Sequence, residues 1–166
     1  MSDHPDPVEE ASADRARRAI ERVLLSEGVS AADADRLARA WVRPGNYLAD
    51  AWRLPPAQFV VGNPPYIRLE DVPSAEATAY RAAYPTMRGR ADLYVAFFEA
   101  ALRGLRSGGI CAFICADRWM LNQYGTELRR LVGAGDAVET VVEMHKAAAF
   151  ESDVSAYPAI TIIRRG

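Results

Sequence analysis

Cysteine is scarce, with only Cys111 and Cys115 in 166 residues. Two cysteines and no secretory signal exclude a disulfide scaffold and make a reducing, cytoplasmic compartment the expectation. Histidine is equally rare, at His4 and His145. With no cluster at metal-ligand spacing, no metal is expected. No apolar run is long enough to cross a bilayer, so no membrane partner is expected. Charge of one sign is missing too: 20 basic and 22 acidic side chains leave a net −2. Any binding to nucleic acid must therefore come from a local patch. Before residue 45 there is one glycine, Gly28, and no glycine-rich run. What is present is globular: half the residues are apolar, in a length suited to about one domain.

The leader MSDHPDPVEEAS is acidic and twice interrupted by proline, and reads as a frayed lead-in over residues 1–12. From Ala13 the spacing predicts a helix with Ala16, Ala19, Ile20, Val23 and Leu24 on its inner face, ended by Gly28. Ser30 is placed to cap a second helix, with Ala34, Leu37, Ala38 and Trp41 inward, broken by Pro44-Gly45. Phe59–Val61 reads as a short buried strand. Residues 68–90 are mixed and polar, and read as a long surface excursion. Two adjacent apolar rows over 92–106 predict a broadly buried helix, and Ser107-Gly108-Gly109 the turn out of it. Ile110–Ala116 is continuously apolar, the pattern of a central parallel strand covered on both faces. A helix over 122–132 and strands over 137–144 and 158–163 complete an α/β pattern.

The chemistry is concentrated in FVVGNPPY, residues 59–66, at the carboxyl end of the first strand, where open α/β sheets bind ligands. Asn63 offers a side-chain carbonyl. Pro64 restricts Asn63 to extended geometry, and Pro65 has no N–H, which leaves the Pro64 carbonyl unspent by a local turn. Two rigid acceptors side by side can take both hydrogens of an amino group, and Tyr66 adds a flat ring for stacking. An exocyclic amine on a heteroaromatic ring is a poor nucleophile because its lone pair is delocalised. Two fixed acceptors favour the geometry that localises it, which prepares direct attack on an activated methyl group. The plainer reading is a rigid turn after a strand.

With VVGNPPYIRLEDV, the stretches GRADLYVAFFEAALRGLRSGG, ICAFICADRWMLNQYG and AFESDVSAYPAITII resemble the amino-methyltransferases that use S-adenosylmethionine. They are most similar to the adenine-specific (N6) DNA methyltransferases of type II restriction–modification systems with an Eco57I-like or TaqI-like catalytic domain. The resemblance implies a partial Rossmann-like class I methyltransferase sheet with flanking helices over residues 13–166. It implies S-adenosylmethionine as cofactor and double-stranded DNA with a flipped adenine as partner. Asn63, Pro64, Pro65 and Tyr66 would be the catalytic tetrapeptide, with Tyr66 and Phe150 stacking on the two sides of the base. Asn46 and Tyr47 stand where the family has an aspartate and a phenylalanine against the cofactor's adenine. Asp6 is a candidate for the acid on its ribose. Arg88 and Arg90, which flank Gly89, are read as DNA phosphate contacts, and Arg68 and Arg81 as solvated.

The chain departs from the family pattern at both ends. The first glycine-rich strand–turn unit is missing, and a target-recognition domain is not seen. The chain is thus expected to be the catalytic part of a methyltransferase, needing an amino-terminal segment or a specificity subunit. The alternatives are a non-catalytic fragment, one piece of a split enzyme, or a protein-glutamine or RNA adenine methyltransferase. Asp117, Arg118 and Trp119 end the central strand and are candidates for the same cleft, with Trp119 equally placed for the core. Cys111 and Cys115 share a strand face and read as small buried apolar residues.

Overall fold

A computed structural model describes residues 7–144 and 158–166. The chain divides into two compact units, residues 1–47 and 48–166.

In the smaller unit, α1 (Pro7–Ser26) and α2 (Ala31–Trp41) pack on each other. Helix α1 begins six residues before the expected start, so residues 7–12 are not a frayed lead-in. Proline suits a first helical turn, whose N–H groups have no partner anyway, and Glu9 and Glu10 in that turn complement the helix dipole. The inner row is Ala13, Arg17, Ile20 and Leu24, whereas Ala16, Ala19 and Val23 are exposed. Arg17 enters that row on its aliphatic stem. Its guanidinium donates to Glu10 at 2.8 Å, Asp14 at 2.9 Å and the Val42 carbonyl at 3.1 Å, tying the end of α2 to α1. Gly28 sits at φ +82° past the end of α1, a backbone state that glycine adopts without strain. Ser30 caps α2 as expected, accepting from the Asp33 amide at 3.2 Å and donating to its carboxylate at 2.9 Å. Arg36 first, and Ser30 second, hold the Asp33 carboxyl below its usual range. Ala34 and Ala38 are buried, but Trp41 is 59% exposed and is not part of the inner face.

The larger unit is built on a four-stranded sheet in the order β1-β2-β4-β3. Its strands are β1 (Ala57–Gly62), β2 (Leu105–Ala116), β3 (Ala137–Glu143) and β4 (Pro158–Arg164). Strands β1 and β2 are parallel, while β4 runs antiparallel to β2 and to β3, so the sheet is mixed. The expected turn at Ser107–Gly109 lies inside β2. Ala57 pairs with Leu105 and Phe59 with Ile110, so the extra residues are absorbed as a bulge with Gly108 at φ +71°. Burial along β2 alternates: Cys111, Phe113 and Cys115 are buried, and Ile110, Ala112 and Ile114 half-buried. Only one face of β2 is therefore fully covered, not both. Across the sheet the buried row continues as Cys111 beside Ile163, Phe113 beside Thr161, and Cys115 beside Ala159.

Helix α5 (Tyr94–Gly104) covers that face and is buried along eight of its eleven residues, as its double apolar row predicts. Phe98 is the hinge of this packing, with its ring 5.0 Å from Phe113 and 5.4 Å from Trp119. Trp119 is thus a core residue. The polar excursion is not a loop. It holds a 3₁₀ turn (Leu69–Asp71) and helix α4 (Ser74–Ala83), anchored by buried Leu69, Tyr80, Tyr84 and Met87. Tyr80, Tyr84 and Met87 keep helical spacing, but α4 ends at Ala83 and only Tyr80 of them lies within it, so no stripe marks the helix among its polar neighbours and the pattern alone reads as loop. Past β2, two 3₁₀ turns (Asp117–Met120 and Gln123–Gly125) precede α6 (Thr126–Gly133).

Candidate functional site

The site is set by the parallel pair. Gly62, the last residue of β1, is level with Phe113 of β2, so both strands deliver their following segments to one edge of the sheet. From β1 that segment is Asn63-Pro64-Pro65-Tyr66, and from β2 it is Asp117–Met120. A Cβ on Gly62 would stand 3.2 Å from the Phe113 ring, so glycine lets the strand end lie close on its neighbour.

Within the tetrapeptide, Asn63 is exposed, Pro64 buried, and Pro65 and Tyr66 half-buried. No described residue hydrogen-bonds the Asn63 side chain or the Pro64 carbonyl. Neither acceptor is thus spent within the described residues, Asn63 at the surface and Pro64 buried beside it. Burial pushes the Tyr66 phenol up to about 12 from its usual 10.0, with Cys115 adding to the shift. The phenol therefore stays protonated at neutral pH.

Beyond Tyr66 the chain pairs with the start of α5. The Leu93 amide donates to the Ile67 carbonyl at 2.8 Å, the Leu69 amide to the Ala91 carbonyl at 3.3 Å, and Arg68 bridges Asp92 in the antiparallel sense. This brings up a polar group that the sequence reading missed. The Tyr94 and Tyr124 hydroxyls are 2.7 Å apart, and Tyr124 donates to Asp92 at 3.3 Å. Burial raises the Asp92 carboxyl, against the pull of Tyr124, Arg68 and Arg118. Tyr94 looks like a core residue of α5 by spacing, and nothing local marks its partnership with Tyr124 thirty residues on.

The other expected site residues divide clearly. Arg88 and Arg90 are exposed in the same unit. Asn46 and Tyr47 are half-buried and belong to the smaller unit, Tyr47 opening the short helix α3 (Tyr47–Asp50). Asp6, Phe150 and His145 lie outside the described residues. Among the described residues no group of three or more His, Cys, Asp or Glu side chains could hold a metal ion, and no helix is long and apolar enough to cross a membrane.

Residues 57–150, which include the tetrapeptide and both parallel strands, match the family model of the Eco57I restriction-modification methylases. The chain belongs to this family. Relatives of this methylase-family chain include the type II methyltransferase M.PaeR7I of Pseudomonas aeruginosa, 47% identical over 89% of the chain. M.XhoI of Xanthomonas vasicola is 43% identical over 95%, and M.BstVI of Geobacillus stearothermophilus 36% over 89%. The chain spans 25%, 29% and 27% of these relatives' lengths, respectively. The fold is shared with a protein described as a class I S-adenosylmethionine-dependent methyltransferase from Listeria monocytogenes. Its TM-score is 0.60 at 15% identity, over 89% of this chain and 48% of that one. The M protein of the type I restriction enzyme EcoKI gives 0.53 at 18%, over 75% and 24%. The α/β class expected from the strand–helix alternation is thus the observed one.

The buried phenols carry a stability prediction. Burial raises Tyr66, Tyr84, Tyr94 and Tyr124 above their usual value. In the unfolded chain they ionise near 10, so between about 10 and the folded values the unfolded state holds fewer protons and is stabilised relative to the folded one. Stability is therefore full below pH 10 and falls as pH rises through the interval above it. Urea midpoints measured from pH 8 to 11 should be flat and then drop, with tyrosinate absorbance rising in step with unfolding.

Proposed function

We propose that this chain is the acceptor half of an adenine-N6 DNA methyltransferase of a restriction–modification system. The observation that carries the reading is Asn63: exposed, unengaged, and beside an equally unengaged Pro64 carbonyl at a strand end. These two oxygens accept the two hydrogens of the adenine amine. As the amine attacks, its nitrogen gains positive charge, and acceptors already in place stabilise that charge without reorganising. Tyr66 stacks on the extruded base, which offsets an unstacking cost of a few kcal/mol. Phe150 closes the other side of the base in this reading.

The methyl donor is S-adenosylmethionine, the cofactor named for the structural neighbour from Listeria. The described residues do not by themselves form a cradle for it. Asn46 and Tyr47 are the chain's contribution beside Asp6, and the sequence has no glycine-rich strand–helix turn. Gly28, the one early glycine, serves to end α1.

The test combines the purified chain with the part of M.PaeR7I that it does not cover, and supplies labelled S-adenosylmethionine with duplex DNA. The expected product is N6-methyladenine in the nucleoside digest. Label in RNA or in protein glutamine instead would move the substrate class, and no label anywhere would overturn the reading. Calorimetric titration of S-adenosylmethionine should give no heat with the chain alone and a binding isotherm with the combination. Tight binding by the chain alone would refute the acceptor-half assignment.

A further inference from the structure

Two clefts adjoin, one of about 270 Å³ and one of about 700 Å³; they share Arg90, Asn122 and Tyr124, and the smaller begins at Arg68, two residues past the tetrapeptide. Arg68 and Arg118 line the smaller cleft, and Arg88 the larger. The carboxylates that line them are Glu70, Asp92 and Glu127. Glu127 is paired with Arg130 outside the clefts, whereas Asp92, which accepts from the neutral Tyr124 hydroxyl, opposes the arginines together with Glu70. Arg68 is 3.7 Å from Glu70 with both side chains exposed, a pair of little worth in water. Arg88 and Arg90 form no ion pair among the described residues. In a chain of net charge −2, four arginines around two joined clefts are a local positive field.

The arginine loop is also held in shape. Buried Glu99 accepts from the Thr86 amide at 2.9 Å and from its hydroxyl at 2.5 Å. Arg81 donates to the Met87 carbonyl at 3.1 Å and the Gly89 carbonyl at 2.8 Å. Gly89 takes φ +59° between the two arginines, a turn that other residues adopt only with strain. Arg81 is therefore a clamp on this loop, not a solvated charge. Arg88 and Arg90 stand on a fixed backbone, which lowers the ordering cost of binding an anion.

We propose that this shelf, with Arg90 at its centre and Arg68 and Arg88 on either side, grips three successive phosphodiesters, one per arginine, of the DNA strand that carries the target base. The inference rests on the proposed function and deepens it. Arg68 is two residues from Tyr66 along extended backbone, about 7 Å at about 3.3 Å per residue. A nucleotide joins its base to its phosphate through a single sugar, so a base on Tyr66 brings its own phosphate to this shelf. Arginine's planar fork suits that group, since it can donate two parallel hydrogen bonds.

The test uses the full 166-residue chain and a short fluorescein-labelled single-stranded DNA, followed by anisotropy between about 50 and 200 mM salt. Wild type should bind with a log–log salt slope of about −2, near −0.7 for each of three phosphates neutralised. Arg90→Gln should weaken binding about tenfold and reduce the slope by about 0.7. The combined variant of Arg68, Arg88 and Arg90, each to Gln, should abolish it. All three side chains are exposed, so unchanged circular dichroism and melting should accompany the loss. Arg36→Gln, on α2, should bind as wild type. Wild type that does not bind, or Arg90→Gln that binds equally well, overturns the proposal. So does displacement by inorganic phosphate, which would make this a free-anion site, or tenfold tighter binding of the same sequence as RNA. Methyl transfer does not enter this readout, so the shelf and the acceptor-half reading can fail separately.

Discussion

Asn63→Ala, made in the reconstituted enzyme, is expected to lower methyl transfer by about 10²–10³-fold, the range found when one preorganised polar partner of a developing charge is removed. Cofactor and DNA affinities should stay close to wild type, because the loss falls on the transition state and not on either bound ground state. The fold should not register the change. Asn63 is exposed and bonds to no described residue, so its truncation belongs with surface substitutions worth within about 0.5 kcal/mol. Asn63→Asp separates an acceptor role from a shape role, since a carboxylate still accepts hydrogens and some turnover should survive. Single-turnover rates with labelled cofactor, read beside melting curves, check all three statements. Near-normal turnover in Asn63→Ala would remove the central role assigned to this residue.

The contrast between Asn63 and its surroundings shows what the amino-acid pattern can report. The place of the tetrapeptide at a strand end is legible because its constraint is local: proline geometry acts on the neighbouring residue, and the strand before it is an apolar run, although Phe59 and Val61 prove exposed and that strand is not the buried one expected. Helix α5 and strand β2 were legible for a similar reason, through periodicity within one element. The α4 segment is not, because its anchors Leu69, Tyr80, Tyr84 and Met87 are few, and their burial is set by the tertiary fold. Tyr84, for instance, donates to the Leu48 carbonyl at 2.6 Å, thirty-six residues away. The same holds for Arg68 opposite Asp92, and for Tyr94 with Tyr124. Clamps such as Arg81 on the 86–90 loop look like ordinary surface charges until the backbone carbonyls they serve are seen. Local chemistry marks the strand end at Asn63, while the elements around it come from long-range pairing that leaves no periodic trace.

Those walls can be tested through Phe98. It is fully buried, and its ring meets Phe113 and Trp119 in tilted contacts of 5.0 and 5.4 Å. Phe98→Ala removes both ring contacts and opens a cavity that α5 cannot close without leaving the sheet, at a cost of about 3–5 kcal/mol. That is a large share of the roughly 5–15 kcal/mol that stabilises a domain, so the variant should melt about 10 °C or more below wild type. Leu121→Ala, at a position 86% exposed, should change the unfolding free energy from urea titration by less than about 0.5 kcal/mol. The consequence for function follows from register. Phe113 supports both sides of the site: Gly62 packs against its ring, and Trp119, in the segment leaving β2, packs on Phe98 beside it. Losing Phe98 frees Phe113 to tilt into the cavity and withdraws the surface on which the end of β1 lies. Methyl transfer at a temperature where Phe98→Ala is still folded should therefore fall as well, whereas Leu121→Ala keeps wild-type rates. A Phe98→Ala variant with full stability would show that some other contact holds α5 to the sheet. Full stability loss with unchanged turnover of the folded fraction would show that Asn63 is held by its prolines alone.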